Sequence, residues 1–273
     1  MTPEFILSGL GVAVAVGASC RWNWWRLPVA GGLPILTYHK VGDYPPGSQL
    51  KPLWVTEKQF RDQLSYLKTH GYTSVTCAEL RDIDQGKKPM PAKPVMITFD
   101  DGYENNYTLA YPILKEFGMK GVIFLVHDTL EGENSWHNPA TEPNIPMMSW
   151  AQAKEMQDSG VIEFGSHTLN HKNLTQLPIE EARRQLVESK SKLEAKLGRE
   201  MVGFAYPYGA GAFHPEVRKA TREAGYHYDF AFRRGLTRWP WKPEDGPILR
   251  IYVRGDDNMF DFRLNLTRGR ARF

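Results

Sequence analysis

The chain has 273 residues, 41% of them hydrophobic and 12% aromatic, enough to bury one core of barrel or doubly wound size. A net charge of +3 from scattered basic residues leaves no electrostatic footprint for nucleic acid. Two cysteines, Cys20 and Cys77, exclude a disulfide framework and a four-cysteine zinc site.

Residues 5–19 are an apolar stretch rich in Val, Ala and Gly, about the length of a signal-peptide core and short for a full membrane span. Carried on through Trp22, Trp24 and Trp25, it becomes a membrane anchor with interfacial tryptophans over residues 5–25. Residues 1–30 are therefore expected to be a signal peptide or anchor, and residues 31–273 the globular domain. Glu4 before the stretch and Arg21 and Arg26 after it would put the C-terminal side in the cytoplasm by the positive-inside rule. The chemistry below favours the opposite, an exported or outward-facing protein of the cell envelope.

Gly31 to Pro34 reads as a linker into a first strand, Ile35 to Tyr38. Phe60, Leu64 and Leu67 predict an amphipathic helix from Glu57 to His70, ended by Gly71, and Tyr72 to Thr76 a short strand. A Pro- and Lys-rich loop leads to the strand Val95–Phe99, then a helix from Asn105 to Phe117 and a strand from Gly121 to Val126. Glu131 to Pro146 is polar and aperiodic, a long loop of the kind that shapes a cleft. Further helices are expected at Trp150–Asp158, Ile179–Leu197 and Pro215–Ala224, and strands at Val161–Gly165, Val202–Tyr206, Tyr228–Phe232 and Ile248–Val253. The basic tail from Arg263 to Arg272 reads as a solvated terminus. Strands alternating with helices predict a parallel sheet, and seven or more of them predict a barrel.

The polar residues fall where such a barrel builds its site. His39 follows the first strand, Asp100 and Asp101 follow Val95–Phe99, His167 and His171 follow Val161–Gly165, and Tyr206-Pro207-Tyr208 closes the next strand. Asp-Gly after Asp100 also suits an ordinary turn, but two abutting carboxylates behind a buried strand are costly unless a cation neutralises one. His167 and His171, four apart, complete a three-ligand set with Asp101 that leaves positions open for water and substrate, with Asp100 spare as a base. His39 reads either as a satisfied buried histidine or as a proton donor. Tyr103, Trp136, Tyr206 and Tyr208 are candidates for stacking on sugar rings and equally for core packing, and an amide near Tyr208 is a candidate oxyanion donor.

These motifs, TFDDG at 98–102, SHTLNH at 166–171 and FAYPYG at 204–209, together resemble the polysaccharide deacetylases of carbohydrate esterase family four, with their NodB-homology domain. ILTYH at 35–39 and Leu249-Arg250-Ile251 are similar to the branch acting on biofilm poly-N-acetylglucosamine. The resemblance covers about residues 33–255, so 31–273 is expected to be one deacetylase domain. It implies an α/β fold, a distorted, incomplete (β/α)7-type barrel. It also implies a divalent cofactor, usually Zn2+, on Asp101, His167 and His171, with Asp100 as base. An N-acetylated polysaccharide would be the substrate, losing acetate to leave a free amine.

Two departures from the family pattern stand out. Ala205 occupies a position where many members carry arginine, and the segment Ile248–Val253 has no histidine where many carry a Leu-x-His general acid. The proton donor is then open among His39, Arg250 acting electrostatically, and Asp100 returning the proton it took. Two other classes remain: a glycan-binding domain that kept the metal but lost turnover, and a non-haem iron oxygenase, whose site also uses two histidines and a carboxylate.

Overall fold

A computed structural model describes residues 16–17 and 27–272. The expected leader or anchor, residues 5–25, lies outside these except for residues 16 and 17. Among the described residues no helix is long and apolar enough to cross a membrane.

Seven parallel strands form a closed ring: β1 (Ile35–Tyr38), β2 (Pro94–Asp101), β3 (Gly121–Leu125), β4 (Ile162–Ser166), β5 (Gly203–Ala205), β6 (Tyr228–Arg234) and β7 (Ile248–Tyr252). Each pairs with the next, and β7 returns to β1 through Ile251 opposite Leu36. The barrel is thus one strand short of eightfold, and its distortion lies in two seams. Strands β4 and β5 share a single register pair, Ser166 with Phe204, and the register slips between β6 and β7.

The strands read as continuous apolar runs because both faces are covered. One face meets the outer helices, where Tyr38, Phe99, Ile123, Phe164 and Phe204 pack against helical residues such as Phe60, Leu64, Leu114 and Leu186. The other fills the barrel with Ile35, Met96, Val122, Phe124, Ala205, Phe230 and Ile248. A Cβ on Gly165 would stand 2.6 Å from the Phe124 ring, so glycine at β4 is what admits that ring to the interior.

The helices are α1 (Glu57–Thr69), α2 (Cys77–Asp84), α3 (Tyr111–Phe117), α4 (Trp150–Asp158), α5 (Ile179–Leu197), α6 (Pro215–Glu223) and α7 (Met259–Arg268). Thr56, Thr76, Ser149 and Asn258 cap four of them with reciprocal capping boxes.

Four sequence expectations change. The segment at 72–76 contributes only Thr73–Ser74, paired to the start of β2 outside the ring. Gly32–Leu33 is no linker but a two-residue strand paired to Thr237–Arg238. Helix α2 was not anticipated, because it is only eight residues long and two of them, Cys77 and Leu80, are buried. The tail is not solvated either: α7 buries Phe262, Leu264 and Leu266, and Arg272 pairs with the buried Asp261. The arginines masked a helix whose start is written in Asn258 and Asp261, cap and third helical residue.

Candidate active site

The C-terminal ends of β2 and β4 bring Asp101, His167 and His171 together. One ligand atom of each lies within 4.8 Å of the others, and all three side chains are buried. Asp101 Oδ1 stands 3.4 Å from His167 Nε2 and 3.2 Å from His171 Nε2. His167 Nδ1–H donates to the Ala205 carbonyl at 2.7 Å, which fixes the tautomer and turns the Nε2 lone pair towards Asp101. His171 Nδ1 lies 3.1 Å from the Tyr208 hydroxyl. Asp101 Oδ1 is itself buried with no hydrogen-bond partner. Two imidazole nitrogens and one carboxylate oxygen converge on one point, an arrangement that suits a divalent cation. Burial works against the Asp101 charge, yet the neighbouring imidazoles hold its carboxyl well below the ordinary range.

Backbone strain is concentrated here. Asp101, Thr168, His171 and Tyr208 all have positive φ, between 58° and 79°, and the one other described non-glycine residue that does so, Glu131, opens the long loop. Such conformations cost of order 1–3 kcal/mol each and persist where the surroundings impose them. Thr168 Oγ1 helps by accepting the His171 backbone N–H at 3.0 Å.

Asp100 is not a bare carboxylate. Arg250, buried on β7, grips it bidentately at 2.7 and 2.8 Å, with its Nε donating to the Ala231 carbonyl. Ala205 lines the same interior, so the third motif supplies no charged side chain there, and Arg250 from the seventh strand is the cation that meets Asp100. Burial raises the Asp100 carboxyl, but Arg250 and His167 outweigh it and leave its pKa below the usual range.

The remaining predicted residues divide. Tyr208 reaches the ligand set, and its backbone N–H is outside the turn bonds, which run from Gly209 to Tyr206 and from Ala210 to Pro207. Pro207 is buried and opens that turn. Tyr206 does not face the site: it is buried, with its hydroxyl against Thr221 and Asp229. Strand alternation turns it outward under α6, so it is core and not a sugar platform. Tyr103 is fully buried too, which removes it as an exposed stacking surface. His39 sits edge-on to Phe232 and Tyr252 with Nδ1 buried and unpartnered; burial lowers its pKa, with Asp101 and Asp100 pulling the other way.

Trp136, from the long loop, stacks on His171 with ring centroids 4.2 Å apart. The loop is tied down by a pair that sequence reasoning missed. Lys40 and Glu142 form a fully buried ion pair at 2.9 Å, and Glu142 also accepts from the Ser48 hydroxyl and the Leu50 N–H. Two isolated charges 102 residues apart carry no local signal.

These bonds bring the Glu142 pKa down to about 2, against about 4.3 when unfolded. A depressed carboxyl contributes stability that is present above the unfolded value and lost as pH falls towards the folded one. Glu142→Gln is therefore expected to lower the melting temperature at pH 7, with the difference from the native chain shrinking between pH 4.3 and about 2. A constant difference across that range, measured by thermal melts, would contradict the assignment.

A polysaccharide deacetylase family profile matches residues 87–228. The chain is 32% identical over 204 residues to YxkH of Bacillus subtilis (strain 168), a protein whose name assigns it provisionally to the polysaccharide deacetylases. That alignment covers 74% of this chain and 65% of YxkH. It is 30% identical over 149 residues to the poly-beta-1,6-N-acetyl-D-glucosamine N-deacetylase of Escherichia coli (strain K12), covering 51% of this chain. The chain thus spans just under two thirds of the first relative's length and 21% of the second's. Among solved structures, IcaB from Ammonifex degensii superposes with a TM-score of 0.72 at 27% identity, covering 88% of this chain and 98% of that one.

Proposed function

This chain belongs to the polysaccharide deacetylase family, and from that membership and the geometry of its site we propose that it removes N-acetyl groups from amino sugars of a polysaccharide in the cell envelope, releasing acetate. The observation that carries the reading is the pairing of a converging ligand set, Asp101, His167 and His171, with a second ionised carboxylate, Asp100, held beside it by Arg250.

A divalent ion held by Asp101, His167 and His171, with zinc the first choice for two imidazoles and a carboxylate, would acidify a water and polarise the acetamide carbonyl. Asp100 takes the proton from the attacking water. Its low pKa keeps it ionised at neutral pH, and Arg250 fixes the direction of its free lone pairs. The Tyr208 N–H donates to the developing oxyanion. The proton that Asp100 gains is the one the leaving amine requires. His39, whose ring senses both Asp100 and Asp101, is the second group for that transfer. Trp136 stacks on His171 and fixes the orientation of its ring.

The E. coli relative's name suggests poly-N-acetylglucosamine as the substrate, and residues 5–25 suggest export or anchoring. Family membership leaves the iron-oxygenase alternative without support. A metal-holding glycan binder without turnover would have no use for a charge-clamped carboxylate at Asp100.

The test is acetate release from N-acetylglucosamine oligomers and polymer by zinc-loaded protein. Release is expected to stop on chelation and return with zinc. Release that survives chelation would overturn the metal role; one tightly bound zinc with no release from any N-acetylated glycan would replace the hydrolase with the binding module.

A further inference from the structure

The end of the barrel opposite the ligand set carries a groove of about 640 Å³. Its walls are residues 31–34 and 90–94, which lead into β1 and β2, together with Val29, Ile83, Trp239, Pro240 and Leu266. Strand β2 runs from Pro94 in this groove to Asp101 in the ligand set, about 23 Å of strand at about 3.3 Å per residue. The groove is therefore remote from the chemistry.

Three features meet at this foot of the barrel. The first is apolar chain. Leu27 is 86% exposed, and Pro28 and Val29 after it line the groove. Trp25, which closes the apolar stretch of residues 5–25, stands two residues before Leu27, at most about 7 Å of chain away. The second is indole. Trp239 lines the groove while its Nε1–H donates to Asp84 at 2.9 Å, and Trp241 stacks on it with centroids 6.5 Å apart. A ring with its face on apolar surface and its N–H bonded suits the headgroup region of a bilayer.

The third is positive charge. Lys87, Lys88 and Lys93 lie on the loop that forms one wall, Arg238 precedes Trp239, and all four are exposed. Asp82 reaches Lys88 at 3.3 Å and Lys87 at 4.0 Å, whereas Lys93 and Arg238 make no ion pair with a described residue. Asp84, which also lines the groove, is occupied by the Tyr228 hydroxyl and by Trp239. Arg21 and Arg26 add two more cations in the chain just before the domain. Apolar surface rimmed by cations marks a place of association, and the charge selects an anionic partner.

We propose that the foot of the barrel docks on an anionic lipid surface, with the groove and Trp239 at headgroup depth and the basic rim on the phosphates. The ligand set at the other end then faces away from the bilayer, towards polymer lying beyond it. This orientation does not depend on which reaction the site performs.

The test uses the full chain carrying Cys20→Ser, reconstituted in vesicles of phosphatidylcholine with or without phosphatidylglycerol and containing a nitroxide lipid. Cys77 is buried, so a thiol-reactive fluorophore attaches at an introduced cysteine. Ala92→Cys, exposed in the groove, labels the foot, and Phe213→Cys, exposed on the loop after β5, labels the active-site end. The nitroxide is expected to quench the Ala92→Cys label, more strongly with phosphatidylglycerol, and to leave the Phe213→Cys label bright. Each lysine near an anionic surface shifts the docked population about fivefold. Lys87→Glu, Lys88→Glu and Lys93→Glu together should therefore abolish the quenching, with thermal melts checking that this variant folds. The comparison of lipids on the unaltered foot stands whether or not it does. Quenching of the Phe213→Cys label instead, quenching of neither, or quenching at Ala92→Cys indifferent to phosphatidylglycerol overturns the docking. So does self-association of the lipid-free protein that shields the Ala92→Cys label, which gives the groove to a second copy of the chain.

Discussion

Asp100→Asn is expected to lower acetate release about 10²- to 10⁴-fold, the usual contribution of a positioned general base, while one zinc stays bound. The substitution preserves shape and can still accept one hydrogen bond from Arg250, but the amide cannot take a proton from water. Asp101→Asn, one residue along, is expected to do the reverse first: zinc affinity falls, and activity is lost because the site empties. The two neighbours are chemically identical and separated in role by the backbone. Asp100 points into the barrel to Arg250. Asp101, with φ at 79°, is turned to the two imidazoles. Zinc titration alongside acetate release separates them. Equal zinc loss in both variants, or full activity in Asp100→Asn, would refute the assignment.

The second large effect concerns the clamp. Arg250→Met is expected to destabilise the fold by about 3–5 kcal/mol, because it leaves Asp100 as a buried charge without a partner. Methionine fills much of the same interior space against Phe124, over which the guanidinium now lies at 5.6 Å. The penalty is therefore electrostatic more than steric, and the double variant Asp100→Asn with Arg250→Met should recover most of it. Denaturant melts of the four proteins form the cycle that measures the coupling. Additive losses would mean that Arg250 acts by packing alone. A lysine at 250 should recover little, since it cannot make the bidentate contact.

Arg250 also changes how the departures from the family pattern read. In sequence, Ala205 and the absent Leu-x-His histidine look like the marks of a decayed site. In space, a guanidinium from β7 reaches the carboxylate, and the Ala205 carbonyl orients His167.

Much of the barrel is legible along the chain, because each buried parallel strand is a short apolar run and each helix carries its own period and stop. Phe60, Leu64 and Leu67 before Gly71 are enough for α1, and the run from Val95 to Phe99 for β2. The ligand candidates are legible for the same reason: they follow strand ends, where a parallel barrel gathers its loops. What the sequence misread were elements with weak local signals. Helix α2 is short, α7 hides its apolar face among arginines, and Tyr206 needs strand orientation to be assigned to the core.

The linear order of residues determined by itself the barrel, the end at which its chemistry gathers and the residue types present there, since these depend on periodicity and chain direction. The tertiary structure alone decided which side chains meet. Arg250 lies 150 residues from Asp100, Glu142 102 from Lys40, and Trp136 on another loop from His171. Those contacts arise only when the ring closes, and they decide which carboxylate Arg250 clamps, which one faces the two imidazoles and which latches the loop.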